Sequence, residues 1–201
     1  MTKFFKIMAS VLTIAAFSSC SKDETVTTPP YAASTQTWVV GDQTWSDAIH
    51  DPACNKSSFD SGTAENPKAD GRSYTHEGDT YYYYSWPYVK EQAACLCPPP
   101  WRVPSLTDFI NLRLALGGSG NDEEDQTDWI ANGYVKKWGG TYAGLATSDE
   151  GIIQMGHMAN YWSSTEWPPD AAYILTYLPH YQGIYNVGMQ KNGCIQLRCV
   201  K

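Results

Sequence analysis

The sequence predicts an α+β domain of short twisted antiparallel strands with one or two helices, stapled by disulfides. Strand-prone runs are short and punctuated by glycine and proline turns. Only one segment carries a full set of helix signals, and five cysteines remain beyond a leader-like amino terminus. Short strands, few helices and covalent staples together favour α+β.

The leader comes first. Lys3 and Lys6 form a positive start, and Ile7 to Phe17 an apolar stretch too short to span a bilayer. Phe17-Ser18-Ser19-Cys20 resembles a bacterial lipobox, in which Cys20 would be lipidated and become the first residue; a plain signal peptide with an incidental cysteine is the alternative. Ser21-Lys22-Asp23-Glu24 is similar to the acidic tag that sends Bacteroidota-type lipoproteins to the cell exterior. The Thr-, Ser- and Pro-containing stretch that follows reads as a flexible tether. The expected organisation is therefore a signal peptide over 1–19, a lipidated cysteine and tether over 20–37, and one domain over 38–201. The expected location is the outer membrane, lipid-anchored and facing outward.

Within the domain, Trp38-Val39-Val40 predicts a strand and Gly41-Asp42 a turn. Trp45 to Ile49 predicts a short helix capped by Ser46. Asn55 to Arg72 reads as a long loop, and Thr80 to Trp86, with four consecutive tyrosines, as a strand. That strand is either a buried central one or an aromatic stacking platform, and the buried reading is preferred. The clear helix follows Ser105, an N-cap with Asp108 three residues on, and Phe109, Leu112 and Leu116 form its apolar stripe. Gly117-Gly118 ends it. Asn121 to Asp128 is an acidic loop without EF-hand spacing. Strands are predicted over Ala172 to Tyr177 and Ile184 to Met189, with Asn192-Gly193 turning into the last one.

Export implies an oxidising setting, so disulfides are expected of Cys54, Cys95, Cys97, Cys194 and Cys199. An odd count leaves one over. Alternation from Cys194 to Cys199 puts Ile195, Leu197 and Cys199 on a core face, and Cys194, Gln196 and Arg198 opposite. Cys199 is thus the better candidate; joined to Cys97 it would close a loop of about 100 residues, worth on the order of 4–5 kcal/mol. Cys54–Cys95 is the second pair expected. No CxxC accompanies the four dispersed histidines, so no metal is expected. Without Lys3 and Lys6 the body carries 12 basic and 21 acidic residues, a net −9, and no basic cluster. Nucleic acid is a poor partner for such a body.

Four stretches resemble the FISUMP ("major paralogous domain") family of secreted bacterial proteins: Trp38 to Trp45, Cys97-Pro-Pro-Pro-Trp-Arg-Val-Pro-Ser105, Tyr161-Trp-Ser-Ser-Thr-Glu166 and Leu197 to Lys201. The resemblance covers about 38–201 and implies a C-type-lectin-like fold, with termini brought together and a loop-rich binding half. It implies that Cys97 and Trp101 pin the start of the helix to the closing strand at Cys199. Pro98-Pro99-Pro100 departs from the family's usual turn, and Cys194 stands where an aromatic residue is more usual. The domain also looks like the variable proteins of diversity-generating retroelements, in which adenine-directed recoding alters solvent-facing positions. The candidate variable region is 160–194. Between Trp167 and Cys194 the candidate positions are Pro168, Ile174, Thr176, Leu178, Pro179, His180, Tyr181, Ile184, Asn186 and Gly188. Ile174/Thr176/Leu178 and Ile184/Asn186/Gly188 each fall on one face of their strand.

The function expected is ligand binding at the cell surface, with an unknown protein or glycan as partner and the membrane contacted only through the lipid. Trp167 joins those ten residues as the binding set, because aromatic residues give contact area at low entropic cost. A structural subunit assembled by strand exchange, as in a pilus, is the second reading. An enzyme is not expected. Asp149-Glu150 and Glu166/Asp170 are the only tempting acids, and GxSxG, HExxH and phosphate-cradling loops are missing. No cofactor is implied, and calcium-dependent sugar binding lacks its Glu-Pro-Asn, Gln-Pro-Asp or Trp-Asn-Asp motif.

Overall fold

The computed structural model describes residues 36–49, 71–76, 79–118, 134, 136–147, 151–178 and 183–201. The leader, the tether through residue 35, Cys54, the 55–70 loop and the acidic 121–128 loop lie outside them, and the last tether residue, Thr37, begins the first strand. Among the described residues, no helix is long and apolar enough to cross a membrane.

Strands β1 (Thr37–Val40) and β2 (Gln43–Ser46) form a hairpin across Gly41-Asp42, where Gly41 has φ +60°. The helix expected at Trp45–Ile49 is not formed. The Ser46 and Ile49 amides donate instead to the Cys199 and Leu197 carbonyls, at 2.9 Å each, so this stretch stays extended beside the carboxyl terminus. Ser46 Oγ accepts from the Cys199 amide at 2.8 Å rather than capping a helix. Thr44 and Lys201 exchange both backbone hydrogen bonds at 3.0 Å, so the two ends of the domain are stitched together.

Strands β3 (Gly71–His76) and β4 (Asp79–Ser85) pair next, so the loop expected to reach Arg72 gives way to strand at Gly71. Tyr83, Tyr84 and Ser85 are buried, while the first half of β4 is partly exposed. Trp86, expected to continue the strand, starts helix α1 (Trp86–Glu91), with Pro87 in its first turn where a missing N–H costs nothing. Helix α2 (Ala93–Leu96) follows. Helix α3 (Leu106–Ala115) begins at a complete capping box: Ser105 Oγ accepts from the Asp108 amide, and the Asp108 carboxylate accepts from the Ser105 amide. Its stripe of Phe109, Leu112 and Leu116 meets Trp45, Trp138, Tyr161, Leu175 and Tyr177 in one core.

Strands β5 (Leu145–Thr147) and β6 (Gly151–Ile153) complete a five-stranded sheet in the order β3-β4-β10-β5-β6, with β10 at Cys194–Ile195. Strands β7 (Ala159–Trp167), β8 (Ala171–Leu178) and β9 (Gly183–Gln190) form a separate antiparallel sheet. The terminal segment threads between these parts. Cys194 pairs with Ser85 and Ala146, Gln196 with Tyr161, and Val200 with both Trp45 and Arg102. The two-faced pattern expected for it is therefore overturned: Cys194, Ile195, Gln196, Leu197, Arg198, Cys199 and Val200 are all buried. Arg198 donates from Nε to the Ser46 carbonyl at 2.6 Å and stacks 4.1 Å over the Trp138 ring.

Cys97 and Cys199 are joined by a disulfide across 102 residues, with Cα atoms 5.6 Å apart. Cys95 is also disulfide-bonded; Cys54, expected as its partner, lies outside the described residues. Cys194 remains a buried thiol.

Candidate functional site

The register of β7, β8 and β9 decides which candidate residues share a face, because directly opposed residues of a sheet point the same way. Tyr161 pairs with Leu175, and Leu175 with Asn186; Tyr173 pairs with Gly188, and Tyr177 with Ile184. That face lies against α3 and the first core. Trp162 pairs with Ile174, and Ile174 with Val187, on the opposite face, which packs with Trp86 and Ile195. The two candidate sets are thus split: Ile174, Thr176 and Leu178 lie on one side of the sheet, Ile184, Asn186 and Gly188 on the other. They form no common surface.

Burial corrects the binding set further. Ile174 is 3% exposed, Thr176 5% and Asn186 7%, so none of them faces solvent. Thr176 Oγ1 donates to the Ala159 carbonyl at 3.3 Å, across the sheet. Both faces of β8 are covered, one by α3 and the other by α1 and the terminal segment, and alternation along one strand could not reveal that. Leu178 is half-buried, whereas Pro168 and Gly188 are exposed. Pro179, His180 and Tyr181 lie outside the described residues, as does the side chain of Ile184.

What remains open is the far end of the sheet. Trp167 is 43% exposed, although Trp45, Trp86, Trp138 and Trp162 are buried. Its indole leans on Tyr173, with ring centroids 4.7 Å apart and planes inclined by 46°. Beneath it lies Gly188, where a Cβ would come within 2.8 Å of the indole. A glycine here lets the ring settle onto the backbone, so one face is held and the other is free. Pro168, Pro169 and Asp170 turn beside it, with a cis peptide between the prolines, and Gln190 is exposed in the same cross-strand row.

This end is tied down by charge. Glu166 accepts from Lys90 at 2.7 Å through one carboxylate oxygen and from Lys191 at 3.2 Å through the other. Those hydrogen bonds, from Lys90 first and Lys191 second, hold the Glu166 carboxyl below its ordinary range. Lys191 also donates to the Pro169 carbonyl at 3.2 Å, which fastens the turn. Both ammonium groups sit over the Trp86 ring, at 4.9 and 4.8 Å from its centroid. On the other side of Trp167, the Leu106 amide donates to Thr165 Oγ1 and the Ser164 amide to the Pro104 carbonyl, which dock the start of α3 on β7.

Tyr173, Lys90, Lys191 and Trp86 were missed as parts of this site. Only the β8 register brings Tyr173 to Trp167, and only the fold brings Lys90 to Glu166, 76 residues away. The buried phenols serve structure: burial pushes Tyr83, Tyr134 and Tyr177 up, so they stay protonated, and Tyr83 donates to the Ala143 carbonyl at 2.6 Å. Among the described residues no cluster of three or more His, Cys, Asp or Glu is placed to hold a metal.

Comparison of the chain with protein-family models, curated proteins and solved structures gives no match. Fold and surface together define a mixed α+β domain, mostly antiparallel, with a disulfide and with Trp167 exposed at one end of the β7–β8–β9 sheet.

Proposed function

We propose that this is a surface-displayed lipoprotein whose domain, of C-type-lectin-like and FISUMP type, recognises a protein or glycan through the Trp167 end of the β7–β8–β9 sheet. The observation that carries the reading is the mounting of Trp167: exposed on one side, seated on Gly188 and braced by Tyr173. A pre-positioned indole loses little freedom on contact, and Trp and Tyr dominate recognition surfaces for that reason. The Thr44–Lys201 hydrogen bonds and the Cys97–Cys199 disulfide hold the frame behind that surface together. The reading assigns binding and no catalysis. Retroelement diversification loses its main geometric support, because recoding Ile174, Thr176 or Asn186 would alter buried positions; a nearby template repeat differing at adenines would restore it.

The test is a glycan and surface-protein array probed with the full chain and with Trp167→Ala. Binding should fall about tenfold or more, as for an interface hot spot. The melting temperature should move by no more than about 2 °C, as for a surface substitution. Unchanged binding by the variant would refute the assignment. A structural subunit is the second reading: β9 is at a sheet edge among the described residues and carries no charged side chain, which suits strand addition.

A further inference from the structure

Beside the Lys90–Glu166–Lys191 tie lies a hollow of about 100 Å³, lined by Trp86, Val89, Lys90, Ala93, Val103 and Ser164. Its walls are graded. Val89, Trp86 and Val103 are 1%, 5% and 8% exposed and make the floor; Ala93 is half-buried; Lys90 and Ser164 stand exposed at the rim. The floor is rigid, because Trp86 Nε1 donates to the Ser163 carbonyl at 2.9 Å and two ammonium groups hold the ring from above.

We propose that this hollow is a binding site for a carboxylate carried on a short apolar group, such as the last residue of a peptide or a small branched acid. Three features select that chemistry. The floor is apolar, so a fully hydrated ion gains nothing by entering it. Among the described residues the only charged one in the lining is Lys90, and the tie beside it sets two lysines against one glutamate. A local positive charge on a chain of net −7 favours an anion and repels a cation. A single flexible ammonium, with no guanidinium fork, suits a monoanion rather than a phosphate dianion. The volume lies below the range of drug-sized ligand sites and suits one short aliphatic group rather than an extended ligand. Lys90 spends one of its three N–H donors on Glu166, which leaves others for an incoming carboxylate. The hollow adjoins the Trp167 surface through the shared Lys90–Glu166 tie, but it takes a different kind of ligand and goes beyond the recognition role proposed for that surface.

The experiment is an NMR titration of the isotope-labelled full chain with N-acetyl-leucine, isovalerate and the neutral N-acetyl-leucinamide. Saturable shifts are expected at the Trp86 indole, the Val89 and Val103 methyls and Ala93 with the two acids. The amide should bind at least about fivefold more weakly, the loss of one charge-assisted hydrogen bond. Lys90→Gln should weaken the acids by a similar factor, and Ala93→Leu, which fills the hollow, should abolish their shifts with the rest of the spectrum unchanged. Tighter binding of N-acetyl-leucine assigns the site to peptide termini, and tighter binding of isovalerate to free acids. No saturable shift at these residues with either acid, equal binding of the amide, or undiminished binding by either variant would overturn the proposal.

Discussion

Asp108 accepts from both terminal guanidinium nitrogens of Arg102, at 2.5 and 2.8 Å, from Gln43 at 2.9 Å, and from the Ser105 amide and hydroxyl at 2.7 Å each. Burial opposes its ionisation, but the hydrogen bonds from Arg102 and Ser105 outweigh that and hold its pKa at about 2, against an ordinary 3.8. The folded-state value lies below the unfolded one. The carboxylate therefore contributes stability that is complete above pH 3.8 and lost as pH falls toward about 2. Asp108→Asn should lower stability at neutral pH by about 2 kcal/mol, as for a hydrogen bond to a charged group. It should also flatten the acid limb of melting temperature against pH in that window, read by calorimetry. An unchanged acid limb would show that Asp108 does not control it. The Ser105–Asp108 half of this network was legible in the sequence, because a capping box is local. Gln43 lies 65 residues from Asp108, and nothing local announces it.

At the scale of elements, α3 formed where its cap and stripe placed it, because both signals lie within a dozen residues. The 45–49 stretch did not become a helix: its amides found carbonyls in 197–199, and pairing with distant chain outweighed a weak local cap. Helix α1 was missed at the end of a tyrosine run, although Pro87 was the available signal for a helix start. For β8 and β9 the strands themselves were legible, but not their phase. Leu175 opposing Asn186 rather than Val187 is set by pairing, and that one-residue difference sends the two candidate sets to opposite faces. The seat of Trp167 depends on the same register. Gly188→Ala puts a Cβ within 2.8 Å of the indole, so the ring must lift off. Increased quenching of Trp167 fluorescence by iodide is expected, measured against a Trp167→Phe background, with weaker ligand binding and little loss of stability. Unaltered quenching would mean that the ring is not seated there.

At the scale of the whole molecule, the terminal segment joins the parts. Residues 194–200 pair with β4, β5, β7, β2 and Arg102, and Cys199 is bonded to Cys97 at the end of α2. Local alternation could not show this, because a segment with partners on every side has no solvent face. The Cys97–Cys199 bond closes a loop long enough to contribute on the order of 4–5 kcal/mol. Cys97→Ala/Cys199→Ala should accordingly lower the melting temperature by on the order of 10 °C. A change of only a degree or two would show that the surrounding pairing holds the clasp unaided.

If the Trp167 end of the β7–β8–β9 sheet is a recognition surface carried on a buried frame, variation is tolerated there and not along the strand faces behind it. A proteolysis-based stability scan of every substitution across 167–190 tests this most directly. It should show Trp167, Pro168, Asp170 and Gln190 accepting most residues without loss of stability, and Ile174, Thr176, Leu175 and Asn186 accepting few. Free substitution at Ile174, Thr176 and Asn186, with intolerance at Trp167 and Gln190, would contradict it.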